Sequence, residues 1–168
     1  MVAITRTGVE ALDRLAPLWL LLHRHHQDVG GDALGPYVDD ETSWRVRRAL
    51  YADFLERGGF ALLAERDDEL IGYAMVAVTP VAATLMPDTW RTGDRMAEIE
   101  TLSVAPQARG EGVGTALLDR IDAELELLGV RDVMVGALVT NTRAIELYRR
   151  RGFRPAWVYM TRLEGRSA

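Results

Sequence analysis

Apolar and polar positions along the chain repeat with two different periods, which predicts a mixture of strands and helices. Residues 2–6 alternate as expected for a strand, whereas apolar residues of 9–27 recur three and four positions apart, as in an amphipathic helix. In chain order the pattern predicts a strand at 2–6, helices at 9–27 and 40–56, strands at 60–65, 70–78 and 96–104, a helix at 116–128, a strand at 132–138, a helix at 142–151, and one or two strands within 153–162.

Proline, glycine and aspartate mark the boundaries of these elements. Pro17 interrupts the first helical segment, so we expect a kinked helix there. The stretch 28–40 is rich in glycine and acidic residues and predicts a loop, after which Asp40 is placed to cap the second helix. Gly129 and Gly152 follow the last two helical segments and are expected to end them.

Composition indicates one soluble domain covering residues 1–168, because 48% hydrophobic residues are enough for a sizeable core. The sequence has no cysteine, which excludes disulfides, thiolate metal ligands and a cysteine nucleophile. A net charge of −5 argues against a nucleic-acid partner. The longest apolar run, 15–22, is too short to span a membrane, and the start of the chain does not resemble a signal segment. We therefore expect a cytoplasmic protein.

A glycine-rich turn joins a predicted strand to a predicted helix at 107–115. Glycines at alternate positions, Gly110, Gly112 and Gly114, let the backbone approach a ligand closely and direct N–H groups outward at the start of a helix. Such a turn is suited to phosphate. A Walker loop is excluded because the chain contains no lysine, and the glycine spacing does not fit a dinucleotide fingerprint. A purely structural turn remains the alternative.

Two blocks of sequence resemble one family. The pattern Gln-x-x-Gly-x-Gly, with Arg109 before the first glycine, resembles the acyl-CoA pyrophosphate loop of the GCN5-related N-acetyltransferases, the GNAT family. The block 141–153, in which Asn141 is followed seven residues later by Tyr148 and then by Gly-Phe, resembles the second signature of that family. The order of predicted strands and helices matches the family along nearly the whole chain.

This resemblance implies an α/β fold with a mixed central sheet of six to seven strands flanked by about four helices. It also implies transfer of an acetyl group from acetyl-CoA to a primary amine by direct attack, with coenzyme A as a product. Backbone groups of the strand before the loop would hold the pantetheine arm, and the loop would hold the pyrophosphate. The residues that the resemblance assigns to the coenzyme are Leu102, Ser103, Val104, Arg109, Gly110, Glu111, Gly112, Val113, Gly114, Thr115, Asn141 and Ala144.

The last predicted helix supplies a candidate general acid. Asn141, Ala144 and Tyr148 lie on one face of that helix, because seven residues make two turns. The resemblance implies that Tyr148 protonates the coenzyme A thiolate; the alternative is a buried tyrosine whose hydroxyl binds a nearby carbonyl. Asn141 is expected to hydrogen-bond the pantetheine arm or to cap the helix, and these two roles are compatible.

The strand before the loop supplies two candidates for the general base, Glu98 and Glu100. Two residues apart, they are expected on one face of the strand together with Leu102 and Val104. Family members place a base at either position, so both remain candidates. We favour Glu100, because it lies nearer the point where the parallel strands are expected to separate. Desolvation in a cleft would raise the pKa of either carboxyl toward a useful range.

The acceptor region is indicated only by composition. The loop 28–40 with Tyr37 and the segment 79–94 with Trp90 are predicted to form the pocket, because family members vary there; aromatic and acidic residues suit a cationic or aromatic amine. We expect no metal site, because no cysteine or well-spaced carboxylate accompanies the cluster His23, His25 and His26.

The sequence indicates the class of acceptor and the oligomeric state only in general terms. A small-molecule amine or a peptide amine is expected, with neither a nucleic acid nor a membrane as partner. The alternative is a non-catalytic acyl-CoA-binding or regulatory module, against which the presence of Glu98, Glu100 and Tyr148 argues. Dimers are frequent in the family, and a homodimer would place Trp157 and Tyr159 of the last predicted strands at its interface.

Overall fold

One sheet with helices on both faces makes up the fold in the computed structural model, which describes residues 1–30 and 34–163. The strands are β1 (Ala3–Thr7), β2 (Phe60–Arg66), β3 (Glu69–Pro80), β4 (Arg95–Val104) and β5 (Asp132–Val135). The helices are α1 (Ala16–Gly30), α2 (Asp40–Glu56), α3 (Val113–Leu128) and α4 (Thr142–Arg150). Short 3₁₀ turns occupy Val9–Leu15, Val81–Ala83, Met86–Asp88 and Pro106–Ala108.

The sheet is mixed, as predicted, and has five strands in the described part of the chain, in the spatial order β1-β2-β3-β4-β5. Neighbours are antiparallel from β1 to β4, whereas β4 and β5 are parallel. The prediction of six to seven strands is wrong, because residues 153–162 form no strand and β5 ends at Val135. Side chains of that last segment do not pack on the sheet: Tyr159 is 84% exposed and Met160 is 90% exposed.

Two apolar cores lie on opposite faces of the sheet. On one face, hereafter the α3 face, Leu117 and Ile121 of α3 pack with Ile99 of β4 and with Tyr148 of α4. On the opposite face, hereafter the α1–α2 face, a core forms between the sheet, the turn Val9–Leu15, α1 and α2. The side chains that build this second core include Leu12, Leu15, Leu18, Tyr51, Tyr73 and Met75. Strand β3 therefore contributes side chains to both cores, Ala74 and Val76 to the first and Tyr73 and Met75 to the second.

The first predicted helix is divided close to its proline. A 3₁₀ turn, Val9–Leu15, precedes α1, and Pro17 is the second residue of α1, where proline fits because the first N–H groups of a helix have no intrahelical partner. The interruption at Pro17 is thus confirmed as a change of helix type. None of the helices in residues 1–30 and 34–163 combines the length and the apolar character needed to cross a bilayer.

Asp39 caps α2, one residue earlier than predicted. Its carboxylate accepts the N–H of Thr42 at 2.8 Å, and its ψ of 165° is extended, while Asp40 is already the first helical residue. A capping side chain has to reach the N–H of the second or third helical residue, which Asp39 does. The predicted helix stops are confirmed: Gly129, with φ of +68°, directly follows α3, and Gly152, with φ of +88°, follows Arg151, the C-cap of α4.

A buried carboxylate links the edge strand β1 to α3. Glu124 is 4% exposed, and both of its oxygens are hydrogen-bonded, one to Arg6 of β1 at 2.8 Å and the other to Arg120 at 2.7 Å. Desolvation acts to raise the pKa of Glu124, but the hydrogen bonds and charges of the two arginines outweigh it, and the pKa lies below its usual value. The arginines therefore hold this carboxylate in its charged form between strand and helix.

Candidate active site

Strands β4 and β5 separate in the middle of β4. Their parallel pairing runs from Met96 opposite Asp132 to Ile99 opposite Val135, where β5 ends. Strand β4 continues for another five residues to Val104. Backbone groups on this side of the last part of β4 have no strand partner among the described residues, so an extended ligand can pair with them. This opening contains the predicted pantetheine residues Leu102, Ser103 and Val104.

A β-bulge lies in β4 at the same place. Opposite β3, Ile99 pairs with Val76 and Thr101 pairs with Met75, so Glu100 is an extra residue with no partner in β3. A bulge rotates the following residues relative to a regular strand and re-aims their side chains.

The bulge makes one sequence prediction wrong. Leu102 and Val104 pack against the core of the α3 face, whereas Glu100 reaches Arg47 of α2 on the α1–α2 face. Glu98 lies between Ala97 and Ile99, which point into the α3-face core, and therefore also lies on the α1–α2 face. The two glutamates do share a face, as predicted, but Leu102 and Val104 lie on the other one, because the extra residue breaks the period of two.

Ser103 uses its side chain within the protein. Its hydroxyl is buried and donates to the carbonyl oxygen of Leu18 in α1 at 3.1 Å. Only the backbone of Ser103 is therefore available to a ligand in the opening.

The glycine-rich turn leads directly into α3. Gly110 and Gly112 have φ of +85° and +84°, a region that side chains disfavour, and Gly112 is the N-cap of α3. No side chain caps the helix, and the N–H groups of its first three residues donate to no acceptor among the described residues: Val113, Gly114 and Thr115. Free N–H groups and the positive end of a helix dipole favour a negatively charged ligand. The helix starts three residues before the predicted residue 116, since Gly112 already supplies the turn.

Side chains of the turn connect it to neighbouring strands. Arg109 donates from Nε to the carbonyl oxygen of Val104 at 3.1 Å, and its side chain is exposed. Glu111 forms an ion pair with Arg66 of β2 at 2.5 Å. Arg109 thus places a positive charge between the end of β4 and the start of α3, while Glu111 fixes the turn to the sheet.

Helix α4 packs with α3 in the core of the α3 face, with Asn141 at its start and Tyr148 near its end. The side chain of Asn141 accepts the N–H of Ala144 at 3.3 Å, which confirms that Asn141 caps this helix. The ring of Tyr148 is 9% exposed and packs edge-on against Phe153, with centroids 5.8 Å apart. The hydroxyl of Tyr148 makes no hydrogen bond to another described residue. No fully buried side-chain oxygen of the described residues lacks a hydrogen bond, so the hydroxyl oxygen of Tyr148 is accessible to solvent. Burial raises the pKa of Tyr148 to about 12.

Glu98 and Glu100 have different surroundings. Glu98 is exposed on the sheet surface, and partial desolvation, followed by the charge of Glu100, raises the pKa of Glu98 above its usual value. Glu100 is half-buried, and its Oε1 accepts a hydrogen bond from Nη1 of Arg47 at 2.7 Å. One carboxylate is therefore unpaired among the described residues and the other is neutralised.

Sequence reasoning missed Arg47 and the side chains around it. Its guanidinium carbon lies 4.1 Å from the ring centroid of Trp19 and 5.6 Å from that of Tyr51. Tyr51 is hydrogen-bonded to Thr101, the residue after the bulge. The sequence signal that could have found them is the spacing of Ser43, Arg47 and Tyr51 on α2, because residues four apart lie on one helix face. In the structure, each of these three side chains contacts a polar group across the α1–α2 face.

The segments predicted to form the acceptor pocket are only partly described. Tyr37 donates to the carbonyl oxygen of His26 at 3.5 Å, but residues 31–33 of that loop lie outside the described residues. Trp90 packs edge-on against Trp157, with centroids 5.3 Å apart and both side chains about half exposed. Nε2 of His23 lies 3.1 Å from the carbonyl oxygen of Val38, and the described residues contain no group of three or more histidine, aspartate or glutamate side chains placed to hold a metal ion.

Two curated proteins illustrate the similarity in sequence. The chain is similar to a mycothiol acetyltransferase from Cellulomonas flavigena, 37% identical over 112 residues, which are 67% of this chain and 31% of that protein. It is also similar to an amino-acid acetyltransferase from Azotobacter vinelandii, 32% identical over 134 residues, or 79% of this chain and 27% of that protein. The chain thus spans about a third of the length of these relatives.

Solved structures share the fold. A GCN5-related N-acetyltransferase from Ralstonia eutropha superposes with a TM-score of 0.74 at 19% identity, covering 98% of this chain and 100% of that one. A predicted acetyltransferase from Clostridium acetobutylicum, solved with acetyl-CoA, superposes with a TM-score of 0.70 at 20% identity and covers 96% of both chains. Residues 22–153, more than half of the chain, match the acetyltransferase (GNAT) family model. The chain therefore belongs to the GNAT family of acetyltransferases.

Proposed function

We propose that the protein transfers an acetyl group from acetyl-CoA to a primary amine by direct attack, without a covalent enzyme intermediate. The observation that carries this proposal is the coincidence of two features. Strand β4 loses its parallel partner after Ile99, and the uncapped start of α3 follows the same strand. One feature suits an extended amide-containing arm and the other suits a pyrophosphate, which are the two parts of coenzyme A.

The residues present fit the coenzyme. The N–H groups of Val113, Gly114 and Thr115 would hold the pyrophosphate, with added positive potential from Arg109. The backbone of 102–104 would pair with the pantetheine arm, and an N–H there would polarise the thioester carbonyl. Asn141 already caps α4, so we assign it, with Ala144, to the wall beside the arm.

We assign the general base to Glu98 in preference to Glu100. A base has to accept a proton from the ammonium group of the acceptor, and its pKa should lie near the working pH. Glu98 has a raised pKa and no ion-pair partner among the described residues. Glu100 is held by Arg47, and an opposite charge at hydrogen-bond distance makes a carboxylate a weaker base.

Tyr148 is the proposed general acid. With a pKa of about 12, its hydroxyl keeps its proton at physiological pH. The hydroxyl is accessible and makes no hydrogen bond to the other described residues, so it is free to donate. In the proposed reaction the neutral amine nitrogen attacks the thioester carbon, the nitrogen–carbon bond forms and the carbon–sulfur bond breaks. Before the attack, the ammonium group gives one proton to Glu98. The departing thiolate receives the proton of Tyr148, and the second proton that the nitrogen loses after the attack restores the neutral hydroxyl of Tyr148.

The relatives support a small-molecule acceptor, since their names refer to mycothiol and to amino acids. A peptide amine is the other acceptor class that the family resemblance leaves open.

A thermal-shift titration tests the coenzyme part of the proposal. A ligand at 100 times its Kd stabilises the folded state by about 2.7 kcal/mol, which raises the melting temperature by several degrees. We expect a shift with acetyl-CoA and with coenzyme A but not with ATP. Equal shifts with all three would indicate an unselective phosphate site, and no shift with either coenzyme would contradict the proposal. Binding without turnover on any amine would favour the non-catalytic module.

A further inference from the structure

Arg47 is a fixed cation on the α1–α2 face, beside the bulge of β4. Its Nη1 donates to Glu100 at 2.7 Å, and its guanidinium carbon lies over the ring of Trp19, 4.1 Å from the centroid. Trp19 is itself 5% exposed and held by a hydrogen bond from its indole N–H to Ser43 at 2.9 Å. The orientation of Arg47 is therefore set from two sides.

Most of the hydrogen-bonding capacity of Arg47 is unused. A guanidinium carries donors on three nitrogens, and among the described residues only Nη1 of Arg47 has an acceptor. The side chain is 23% exposed, so a ligand on the α1–α2 face can reach its free donors. A planar guanidinium is matched in shape by a carboxylate, which can accept two parallel hydrogen bonds from it.

Two charged side chains of β4 lie on the same face of the sheet as Arg47. Glu98 and Glu100 are negative and lie on the same face as Arg47, which is positive and bound to Glu100. Two unpaired carboxylates would favour an acceptor with two positive charges, but Arg47 neutralises the carboxylate of Glu100. His26 adds no charge at neutral pH, because desolvation, with the charges of His25, Arg47 and His23, lowers the pKa of His26 to about 4. What remains is the unpaired carboxylate of Glu98 beside the Arg47–Glu100 ion pair, whose guanidinium keeps free donors.

We propose that the acceptor is an amine that carries a carboxylate close to its nitrogen, as an α-amino acid does, and that Arg47 binds this carboxylate. The inference rests on the proposed function and names its acceptor class. The ammonium group would face Glu98 and the carboxylate would face the free donors of Arg47. Arg47 is thus a specificity-determining residue; it takes no proton and forms no bond in the transfer.

Matched acceptors test the proposal on the unaltered protein. Each of several α-amino acids would be compared with its own carboxamide and with the amine that lacks the carboxyl group, with acetyl-CoA as donor and the N-acetyl product measured by mass spectrometry. We expect kcat/KM to be higher for the acid than for its carboxamide by roughly 10- to 100-fold, as for one hydrogen-bonded charge. Equal or higher values for the carboxamides would overturn the proposal.

Substitution of Arg47 provides a second test. Arg47→Gln should lower kcat/KM for the acids by roughly 10- to 100-fold, mainly through KM, and should change the carboxamides much less. Arg47→Lys, which keeps a point charge, should restore part of the preference. The control is Arg45→Gln, two residues before Arg47 and on the exposed side of α2, which should leave both acceptor classes unchanged.

Other outcomes separate this inference from the proposed function. An equal loss for acids and carboxamides in Arg47→Gln would mean that Arg47 only positions Glu100, and it would overturn the inference. If amines with and without a carboxylate were acetylated equally well, this inference would be overturned but the proposed function would be supported. Binding of acetyl-CoA with no acetylation of any amine would overturn both.

Discussion

Ile99 and Val135 form the last pair of the parallel ladder between β4 and β5. The next residue, Glu100, has no partner in β3 either, because of the bulge. Strand β4 thus changes its pairing on both edges at one point. Glu98 and Glu100 lie beside that point on the α1–α2 face, and Tyr148 and α3 pack on the opposite face of the sheet. The proposed chemistry depends on this local geometry.

Loss of the Tyr148 hydroxyl should affect turnover more than binding. We expect Tyr148→Phe to lower kcat by about 10²- to 10⁴-fold, the usual contribution of a general acid, with the Kd for coenzyme A nearly unchanged. Steady-state kinetics and calorimetric titration measure the two quantities. Tyr159→Phe removes the same atom from an 84% exposed tyrosine and should change neither. An unaltered kcat in Tyr148→Phe would remove Tyr148 from the mechanism.

The pH dependence of kcat should report Glu98. A base acts in its deprotonated form, so kcat should fall as the pH drops through the pKa of Glu98, which lies above the ordinary value of 4.5. Glu98→Gln should lower kcat by about 10²- to 10⁴-fold and remove this acid limb. Glu100→Gln removes a charge that raises the pKa of Glu98, so the limb should persist and move to lower pH. If Glu100→Gln instead removed the limb, the two roles would have to be exchanged.

The backbone at Gly112 should matter for coenzyme binding. Gly112 and Gly58 both have positive φ, +84° and +91°, with no heavy atom within 4 Å of an added Cβ. Alanine at either position should therefore cost about 1–2 kcal/mol of stability through backbone strain alone. Only Gly112→Ala should also weaken acetyl-CoA binding, by about tenfold or more, because relief of the strain reorients the first N–H groups of α3. Equal affinities in the two variants would place the pyrophosphate elsewhere.

Glu124 should contribute a pH-dependent part of the stability. Glu124→Gln should lower the free energy of unfolding by about 1–3 kcal/mol at neutral pH, because charged hydrogen bonds to Arg6 and Arg120 are lost. The folded-state pKa is below the ordinary 4.5, so this contribution is complete above pH 4.5 and disappears as the pH falls through the lower, folded-state value.

Chemical denaturation of the unaltered protein and of Glu124→Gln, at neutral and at acid pH, measures the difference in their free energies of unfolding. It should shrink on acidification, since a protonated Glu124 resembles the glutamine. Glu126→Gln, on the exposed side of the same helix, should stay within about 0.5 kcal/mol of the unaltered protein at both pH values. A difference that did not change with pH would show that the charge of Glu124 is not what stabilises the fold.

Local sequence signals were sufficient for the elements that begin and end at special residues. Gly129 ends α3 through positive φ, and Asn141 caps α4 with its side chain, so these two boundaries follow from residue type. The start of α3 was predicted three residues too late, because Gly112 with its positive φ already begins the helix. The predicted strands within 153–162 failed for a different reason. Their apolar residues have the composition of a strand, but a strand forms only where a partner edge is available, and that information is not local.

The site was predictable only in part, for the same physical reason. The glycine-rich turn, to which we assign the pyrophosphate, lies within one short segment and could be predicted directly from its glycines. The pairing of Arg47 with Glu100 joins residues 53 positions apart, and nothing in either neighbourhood specifies the other. The bulge at Glu100 appears only when β3 and β4 are aligned. It changed which face Leu102 and Val104 occupy, because one extra residue inverts the alternation of a strand.

The most direct test of the account is the coupling between coenzyme A release and amine acetylation. The protein would be incubated with acetyl-CoA in the presence and absence of an amine panel, and free thiol and N-acetyl product would be quantified together. We predict that thiol release depends on an amine and equals the amount of N-acetyl product, with no acetyl group left on the protein. Tight binding of acetyl-CoA without amine-dependent thiol release, or an acetylated protein that forms before the product, would contradict direct acetyl transfer.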